Sequence, residues 1–224
     1  MQTLYIANKN YSSWSLRPWV LLRELGIPFE EKLMPFHAAA FTDFSPSGKV
    51  PCLVDGDVTV WDSLAITEYL AEANPQVWPA GKAARAFARC AAAEMHSGFM
   101  ALRTQCGMNC GIRVKLNGVD AALQCDLTRL NALWSEGLAR FGGPFLAGGT
   151  FTAADAFYAP VAFRIQTYAP PLDDAANAYA QRLLALPSMR EWYADSIKET
   201  WRDAGHEAEA AEWGTITHDL RAKA

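Results

Sequence analysis

Residues 48–73 read GKVPCLVDGDVTVWDSLAITEYLAEA, and this stretch decides the fold. It contains two short apolar runs, residues 52–54 and 58–61, separated by Asp-Gly-Asp, which predicts the tight turn of a β-hairpin. Residues 62–73 follow with apolar side chains at helical spacing and end before an Asn-Pro pair, so they predict an amphipathic helix. These apolar positions are Leu64, Ile66, Tyr69 and Leu70. The stretch therefore predicts two antiparallel strands followed by a helix.

The residues before this stretch predict a strand, a helix and a second strand. Residues 3–7 are an apolar run typical of a buried strand, and residues 15–25 predict a helix that ends at Gly26. Residues 29–34 predict the second strand. A β-α-β unit gives a parallel strand pair, whereas the hairpin adds an antiparallel pair. Together they predict an α/β domain over residues 1–78, a mixed four-stranded sheet with helices in the thioredoxin-like order.

A change of pattern after this helix predicts a second domain. Residues 74–82 contain two prolines and a glycine without apolar periodicity, as expected of a linker. The signals that follow are helical, including residues 83–100 and 119–141, with glycine-rich breaks. We therefore expect an all-α helical bundle over residues 83–224.

The charge and hydropathy of the chain exclude several classes of partner. The 224 residues carry a formal net charge of −4, without the basic surplus that binds nucleic acid. No apolar run approaches the roughly 20 residues that cross a bilayer, and the N-terminus lacks a cleavable signal pattern. We expect a cytoplasmic protein without nucleic acid or membrane partners.

The five cysteines predict neither a disulfide framework nor a zinc site, because their number is odd and paired CxxC elements are absent. Cys106 and Cys110 lie four residues apart, so a shared helical face with a metal or redox role is one interpretation. The alternative is that both are small apolar residues in helix packing. We expect no metal.

The loop between the first strand and the first helix is the most informative for function. Residues 11–18 read YSSWSLRP, at the place where thioredoxin-like redox proteins carry CxxC. The position suits sulfur chemistry because the positive end of a helix lowers a thiol pKa. With serines here, dithiol exchange is excluded, but hydroxyl and backbone N–H groups can stabilise a thiolate that a ligand supplies.

Two further motifs predict a peptide ligand. Val50 precedes Pro51 at the start of a strand, where this fold holds a cis proline and where an extended peptide can pair with the Val50 backbone. Asp62 and Ser63 begin a helix, so an ammonium group can meet the carboxylate while a ligand carboxylate meets the hydroxyl and the helix N-terminus. The alternative for this pair is a simple helix cap.

With these three motifs the chain resembles the cytosolic glutathione transferase superfamily, and SSWSLR is similar to its serine-type, theta- and zeta-like bacterial forms. The resemblance covers both domains. It implies glutathione as co-substrate, a homodimer, and reaction of glutathione with a small hydrophobic electrophile. One departure is Trp14, which stands where zeta-type enzymes usually carry cysteine. Trp14 either shapes the pocket of the acceptor substrate or packs beneath the helix.

The resemblance also implies a role for each motif residue. Ser12 would donate a hydrogen bond to the glutathione sulfur, with Ser13 as the competitor for that role. Lys49 would contact the glycine end and Val50 the cysteinyl backbone. Asp62 and Ser63 would hold the γ-glutamyl end.

The acceptor pocket is expected between the domains. His96, Phe99 and Arg103 fall on one face of the first long helix of the bundle, and we expect Phe99 and Arg103 to contact the substrate. His96 is interpreted as a packed or solvated residue. His37 is interpreted by default as a surface loop histidine, and contact with glutathione is the alternative. Residues 207–212 predict a solvated charged helix.

The sequence features agree with two functions of different kinds, an enzyme and a binding module. The first is an enzyme that conjugates glutathione, reduces peroxides with it, or isomerises a substrate through a glutathione adduct. The second is a non-catalytic protein-interaction module on the same fold, because a fold alone does not determine activity.

Overall fold

The computed structural model describes residues 1–36 and 40–223. Its first half contains four strands and two helices in the predicted order. They are β1 (Gln2–Ile6), α1 (Ser13–Glu24), β2 (Phe29–Leu33), β3 (Cys52–Asp55), β4 (Val58–Trp61) and α2 (Ser63–Ala73). The sheet order is β2-β1-β3-β4, with β1 and β2 parallel and the other two pairs antiparallel. The mixed sheet is therefore confirmed.

The hairpin forms where the sequence predicts it. Leu53 pairs with Val60, and Asp55 pairs with Val58 across the turn. Gly56 has a φ of 63°, which is accessible to glycine at little cost and explains the residue at this position. The hairpin fixes the start of α2, because Trp61 ends β4 and Asp62 caps the helix that follows directly.

The second half is a helical domain, as expected. Its helices are α3 (Lys82–Ser97), α4 (Met100–Gln105), α5 (Ala121–Phe141), α6 (Ala153–Tyr168), α7 (Asp174–Leu184), α8 (Pro187–Ser196) and α9 (Ala204–Trp213). Nearly every residue of α6 is buried, so α6 is the central helix of this domain. Asp155 caps α6 by accepting from the backbone N–H of Thr152 at 2.9 Å, and it also accepts from the Tyr179 hydroxyl at 2.7 Å.

The all-α description of residues 83–224 needs one addition. Two strands, β5 (Ile112–Leu116) and β6 (Gly214–Asp219), form an antiparallel ladder within the helical domain. Each strand is short, and its partner lies about a hundred residues away, so no local turn signal announces the pair. The ladder returns the C-terminal segment toward the first domain.

A second correction concerns the first long helix of the bundle. The sequence predicts a helix through residue 100, but α3 ends at Ser97 and α4 begins at Met100. Gly98 lies at the end of α3 and Phe99 has a left-handed φ of 55°, so the chain changes direction between them. His96, Phe99 and Arg103 therefore do not share a helical face.

The two domains are joined by buried polar contacts as well as apolar packing. The Glu199 carboxylate accepts from the backbone N–H groups of Lys9 at 2.7 Å and Asn10 at 3.2 Å. The Trp192 indole donates to the Lys9 carbonyl at 2.7 Å. No helix in the described part of the chain is both long enough and apolar enough to cross a membrane.

Candidate active site

A cleft at the edge of the sheet consists of two adjoining cavities. The first has a volume of about 420 Å³ and the second about 300 Å³, and they share Trp14, Lys49 and Val50. The first cavity is otherwise lined by Ser47, Pro51, Trp61, Asp62 and Ser63. The second is otherwise lined by Tyr11, Ser12, Ser13, Phe36, Phe41, Gly48 and His206. All three sequence motifs thus meet in one cleft.

Ser12 and Ser13 stand on the wall of the second cavity with different partners. Ser12 is buried at the N-cap of α1, and its hydroxyl donates to Ser15 Oγ at 2.7 Å instead of capping the helix. Ser15 Oγ also accepts from the Ala7 backbone N–H at 3.3 Å. Ser13 Oγ accepts from Arg164 Nη2 at 3.4 Å. Both hydroxyls can rotate to donate to a ligand, because a serine oxygen carries one donor and two acceptor sites.

The Val50–Pro51 peptide bond is cis, as the motif predicts. Lys49 and Val50, just before β3, line both cavities. This segment of backbone therefore connects the two halves of the cleft. Lys49 is exposed, which leaves its ammonium group accessible to a ligand carboxylate.

Asp62 and Ser63 form the end of the first cavity. The Asp62 carboxylate accepts from the Leu64 backbone N–H at 2.8 Å, so the expected simple cap is present. The residue also has a φ of 71°, a strained conformation for a non-glycine residue of the kind found at functional sites. Ser63 is only 1% exposed, and its hydroxyl has no hydrogen-bond partner among the described residues.

Trp14 combines the two roles that the sequence left open. Its ring lines both cavities and also packs 4.1 Å from Arg17 Cζ and 4.4 Å from Arg103 Cζ. The His96 ring meets it edge-on at 5.3 Å between centroids. Trp14 thus separates the cleft from a group of cations beneath it.

Three arginines, Arg17, Arg103 and Arg164, lie behind the cleft. Arg17 is 2% exposed, and its Nε and Nη1 atoms lack hydrogen-bond partners among the described residues. Burial, reinforced by the charges of Arg103 and Arg164, lowers the pKa of Arg17 to about 9. Burial likewise lowers the pKa of Arg164 to about 10. Buried cations that repel one another favour an anion in the adjacent cleft.

Helix α9 contributes a residue to the cleft that the sequence did not reveal. His206 lines the second cavity, stacking on Tyr11 at 5.0 Å and on Phe36 at 5.6 Å between ring centroids. Its Nδ1 atom lies 2.7 Å from Asp203 Oδ1. No local signal could have placed it there, because the contact depends on how the C-terminal segment folds back onto residue 11.

Comparison with known families decides the membership of this chain. The sequence model for the N-terminal domain of glutathione S-transferases matches residues 11–73, and that for the C-terminal domain matches residues 91–195. The chain belongs to the cytosolic glutathione transferase superfamily. It is a glutathione S-transferase by fold and family.

Individual relatives of this transferase are distant. The glutathione S-transferase-like protein OpS6 of Beauveria bassiana is 24% identical over 184 residues, covering 78% of this chain and 84% of that protein. A dichloromethane dehalogenase of Methylorubrum extorquens is 42% identical over 55 residues, 22% of this chain and 19% of that protein. Each is a similarity to part or most of the chain, not an assignment of its substrate.

Solved structures show the same fold. A glutathione transferase homolog from Burkholderia gl BGR1, with bound glutathione, is 25% identical with a TM-score of 0.66, covering 87% of this chain and 97% of that one. A theta-class transferase from Xanthomonas axonopodis pv. citri, also with glutathione bound, is 22% identical with a TM-score of 0.63, covering 86% and 96%.

Not every expected acceptor-site residue of this transferase reaches the cleft. Phe99 is 5% exposed and packs edge-on against Tyr158 at 6.4 Å, away from the residues that line the two cavities. Arg103 contacts the cleft only through Trp14, and it donates to the His96 carbonyl at 3.1 Å. The break at Gly98 is the reason, since it turns Phe99 into the core. His37 lies outside the described residues.

The remaining sequence interpretations concern the cysteines and the C-terminal helix. Cys106 and Cys110 are buried and lie beyond α4, which ends at Gln105, so they do not share a helical face. Burial raises the pKa of Cys106 to about 12, and that of Cys110 also rises. The described residues contain no cluster of three or more side chains able to hold a metal ion. Glu207 is not fully solvated, because its carboxylate accepts from the Tyr11 hydroxyl at 2.7 Å.

Proposed function

We propose that this transferase binds glutathione along the two cavities and joins its sulfur to a small hydrophobic electrophile through a serine-stabilised thiolate. The observation that carries the proposal is the Ser63 hydroxyl, buried at the end of the cleft without a partner among the described residues. A buried hydroxyl left unpaired costs about 1–3 kcal/mol, so a ligand acceptor group in this cavity is favoured.

The γ-glutamyl end of glutathione fits the first cavity. Its ammonium group pairs with the Asp62 carboxylate, which already accepts from Leu64 and retains further acceptor capacity. Its carboxylate accepts from the Ser63 hydroxyl at the N-terminus of α2, where the helix dipole favours negative charge. The ammonium group and the carboxylate of the γ-glutamyl end are thus bound by two adjacent residues, Asp62 and Ser63.

The rest of the tripeptide lies along the segment before β3 and extends into the second cavity. The cysteinyl backbone pairs with Val50, and Lys49 meets the glycine carboxylate. The glutathione bound in the Burkholderia homolog supports this assignment of the ligand. The sulfur then lies beside the two serines.

Ser12 is proposed as the donor to the sulfur. Its hydroxyl turns from Ser15 to the thiolate, and the Ser15 hydroxyl then donates to Ser12 Oγ, which strengthens the first bond through cooperativity. Ser13 competes for the role, with Arg164 polarising its oxygen. A free thiol titrates near pKa 8.5, and each unit by which the site lowers it corresponds to about 1.4 kcal/mol.

The test is binding followed by conjugation. Retention on immobilised glutathione is expected for the wild type, with conjugation of a reactive aryl chloride. Ser12→Ala should retain binding but lose about tenfold or more in kcat/KM, because each lost pKa unit removes about tenfold of the thiolate below its pKa. Ser13→Ala is the matched variant and should lose less. Failure of the wild type to bind glutathione contradicts the proposal.

A further inference from the structure

Asp203 and His206 form an ordered pair at the mouth of the second cavity. A carboxylate only accepts, so the 2.7 Å contact places the proton on His206 Nδ1. Proton transfer by this ring therefore takes place at Nε2, and the ring lines the cavity shared with Ser12 and Ser13. Stacking on Tyr11 and Phe36 fixes the plane of this ring.

The pair is also part of a helix cap. Asp203 Oδ1 accepts from the backbone N–H of His206 at 3.0 Å, as an N-cap residue does. The cap explains the carboxylate, but it does not require an imidazole at the third helical position or a ring within the cavity. Helix capping therefore does not explain why the His206 ring lies in the second cavity.

Among the described residues, the other protonated side chains around this cavity are committed elsewhere. The Tyr11 hydroxyl donates to Glu207 at 2.7 Å, and burial together with this hydrogen bond raises the pKa of Tyr11 to about 12. Arg221, which follows β6, bonds both Tyr11 and Glu207. Lys49 lines the wall that we assign to the tripeptide. Of the described residues that line the cavity, His206 is thus the one suited to give a proton to an acceptor substrate.

We propose that His206, oriented by Asp203, is the general acid of this transferase for electrophiles whose attack by the thiolate leaves an oxyanion, namely epoxides and conjugated carbonyl compounds. This inference rests on the proposed function, because it needs the glutathione sulfur beside Ser12. The aromatic walls of Phe36 and Phe41 suit an apolar substrate body.

The proton balance of the reaction closes through exchange with solvent. The thiol proton leaves to solvent when glutathione binds, because Ser12 stabilises the thiolate, and His206 carries a proton on Nε2 before the acceptor reacts. The thiolate attacks an epoxide carbon, so a C–S bond forms and a C–O bond breaks. The alkoxide takes the Nε2 proton, and the neutral imidazole then regains a proton from solvent, which balances the proton released from the thiol. For a conjugated carbonyl, the enolate takes the same proton.

The experiment compares two acceptors that differ in their need for a proton. Styrene oxide leaves an alkoxide, whereas 1-chloro-2,4-dinitrobenzene leaves chloride, which takes no proton. For His206→Gln we expect a loss of about 10²-fold or more in kcat/KM for the epoxide, the contribution typical of general acid catalysis. The aryl chloride rate and the glutathione Kd should remain nearly unchanged. His218→Gln, at an exposed histidine on β6, is the matched control and should match the wild type with both acceptors.

A chemical rescue separates proton transfer from packing. His206→Ala should regain epoxide conjugation when imidazole is added, and at equal concentrations of the imidazolium form a series of substituted imidazoles should rescue in the order of their acidity. Equal losses with both acceptors, no loss with either, or a wild type that conjugates the aryl chloride but neither epoxides nor enones would overturn the inference. A wild type that fails to bind glutathione overturns the proposed function itself, so the two failures are distinguishable.

Discussion

Ser63 shows how a single side chain carries the binding argument. Its hydroxyl is buried at the cleft, and the fold itself supplies no partner from the described residues. Such a group pairs with a ligand acceptor that enters the cleft, and its removal breaks no hydrogen bond among the described residues. The residue therefore contributes to ligand affinity without a matching contribution to stability.

Ser63→Ala should weaken glutathione binding while leaving the free protein as stable as the wild type or more so. The loss should be about tenfold in Kd, the effect of a charge-assisted hydrogen bond of about 1.5 kcal/mol. Calorimetric titration measures the affinity, and urea unfolding measures the stability. Ser188→Ala is the matched control, because Ser188 is also buried, its hydroxyl has no partner among the described residues, and it lies away from the cleft. It should share the stability effect and bind glutathione normally; a joint loss of affinity and stability for Ser63→Ala alone would contradict the account.

The elements of the first domain were largely predictable, and those of the second were less so. The apolar runs and the Asp-Gly-Asp turn act within a few residues, so β1 to α2 follow from local sequence, and the cis bond was expected from the fold that these elements predict. The pairing of β5 with β6 spans about a hundred residues and has no local signal. The break after α3 had a weak signal in Gly98, which the surrounding helical pattern masked.

Gly98→Ala tests the physical cause of that break. A Cβ at this position would lie 2.8 Å from the Glu94 carbonyl oxygen, closer than real contacts allow, so the backbone must shift. We expect a loss of about 1–3 kcal/mol in the free energy of unfolding, typical of overpacking. Gly118→Ala is the control, since a Cβ there meets nothing within 4 Å. Equal stabilities of the two variants in urea unfolding would show that close approach does not fix the break.

At the scale of the whole molecule, the C-terminal segment connects the domains and completes the cleft. Arg221, after β6, donates to Glu207 on α9 at 2.9 Å and to the Tyr11 hydroxyl at 3.1 Å. The sequence predicted a solvated charged helix for residues 207–212, because a run of charged residues does not show which side chains pack against the first domain. We also propose a homodimer, as the family resemblance implies, which light scattering can test.

The Glu207 contacts predict a pH dependence of stability. Burial acts to raise the pKa of the Glu207 carboxyl, but hydrogen bonds from Arg221 and Tyr11 outweigh it and lower the pKa. Because the folded pKa lies below the unfolded one, the carboxylate stabilises the fold above the unfolded pKa, and this contribution disappears as the pH falls through the folded pKa. Glu207→Gln should therefore be less stable than the wild type near neutral pH, with the difference shrinking in acid. Glu212→Gln, at an exposed position of α9, should show no such trend; a constant difference for Glu207→Gln would contradict the assignment.

The central claim is that the cleft holds the glutathione sulfur as an anion beside Ser12. The direct measurement is the ultraviolet absorbance of the thiolate, followed as a function of pH with glutathione bound. The wild type should titrate about two pKa units below the free value near 8.5, and Ser12→Ala should titrate closer to the free value. A bound thiol that titrates at its free pKa in the wild type would contradict the claim.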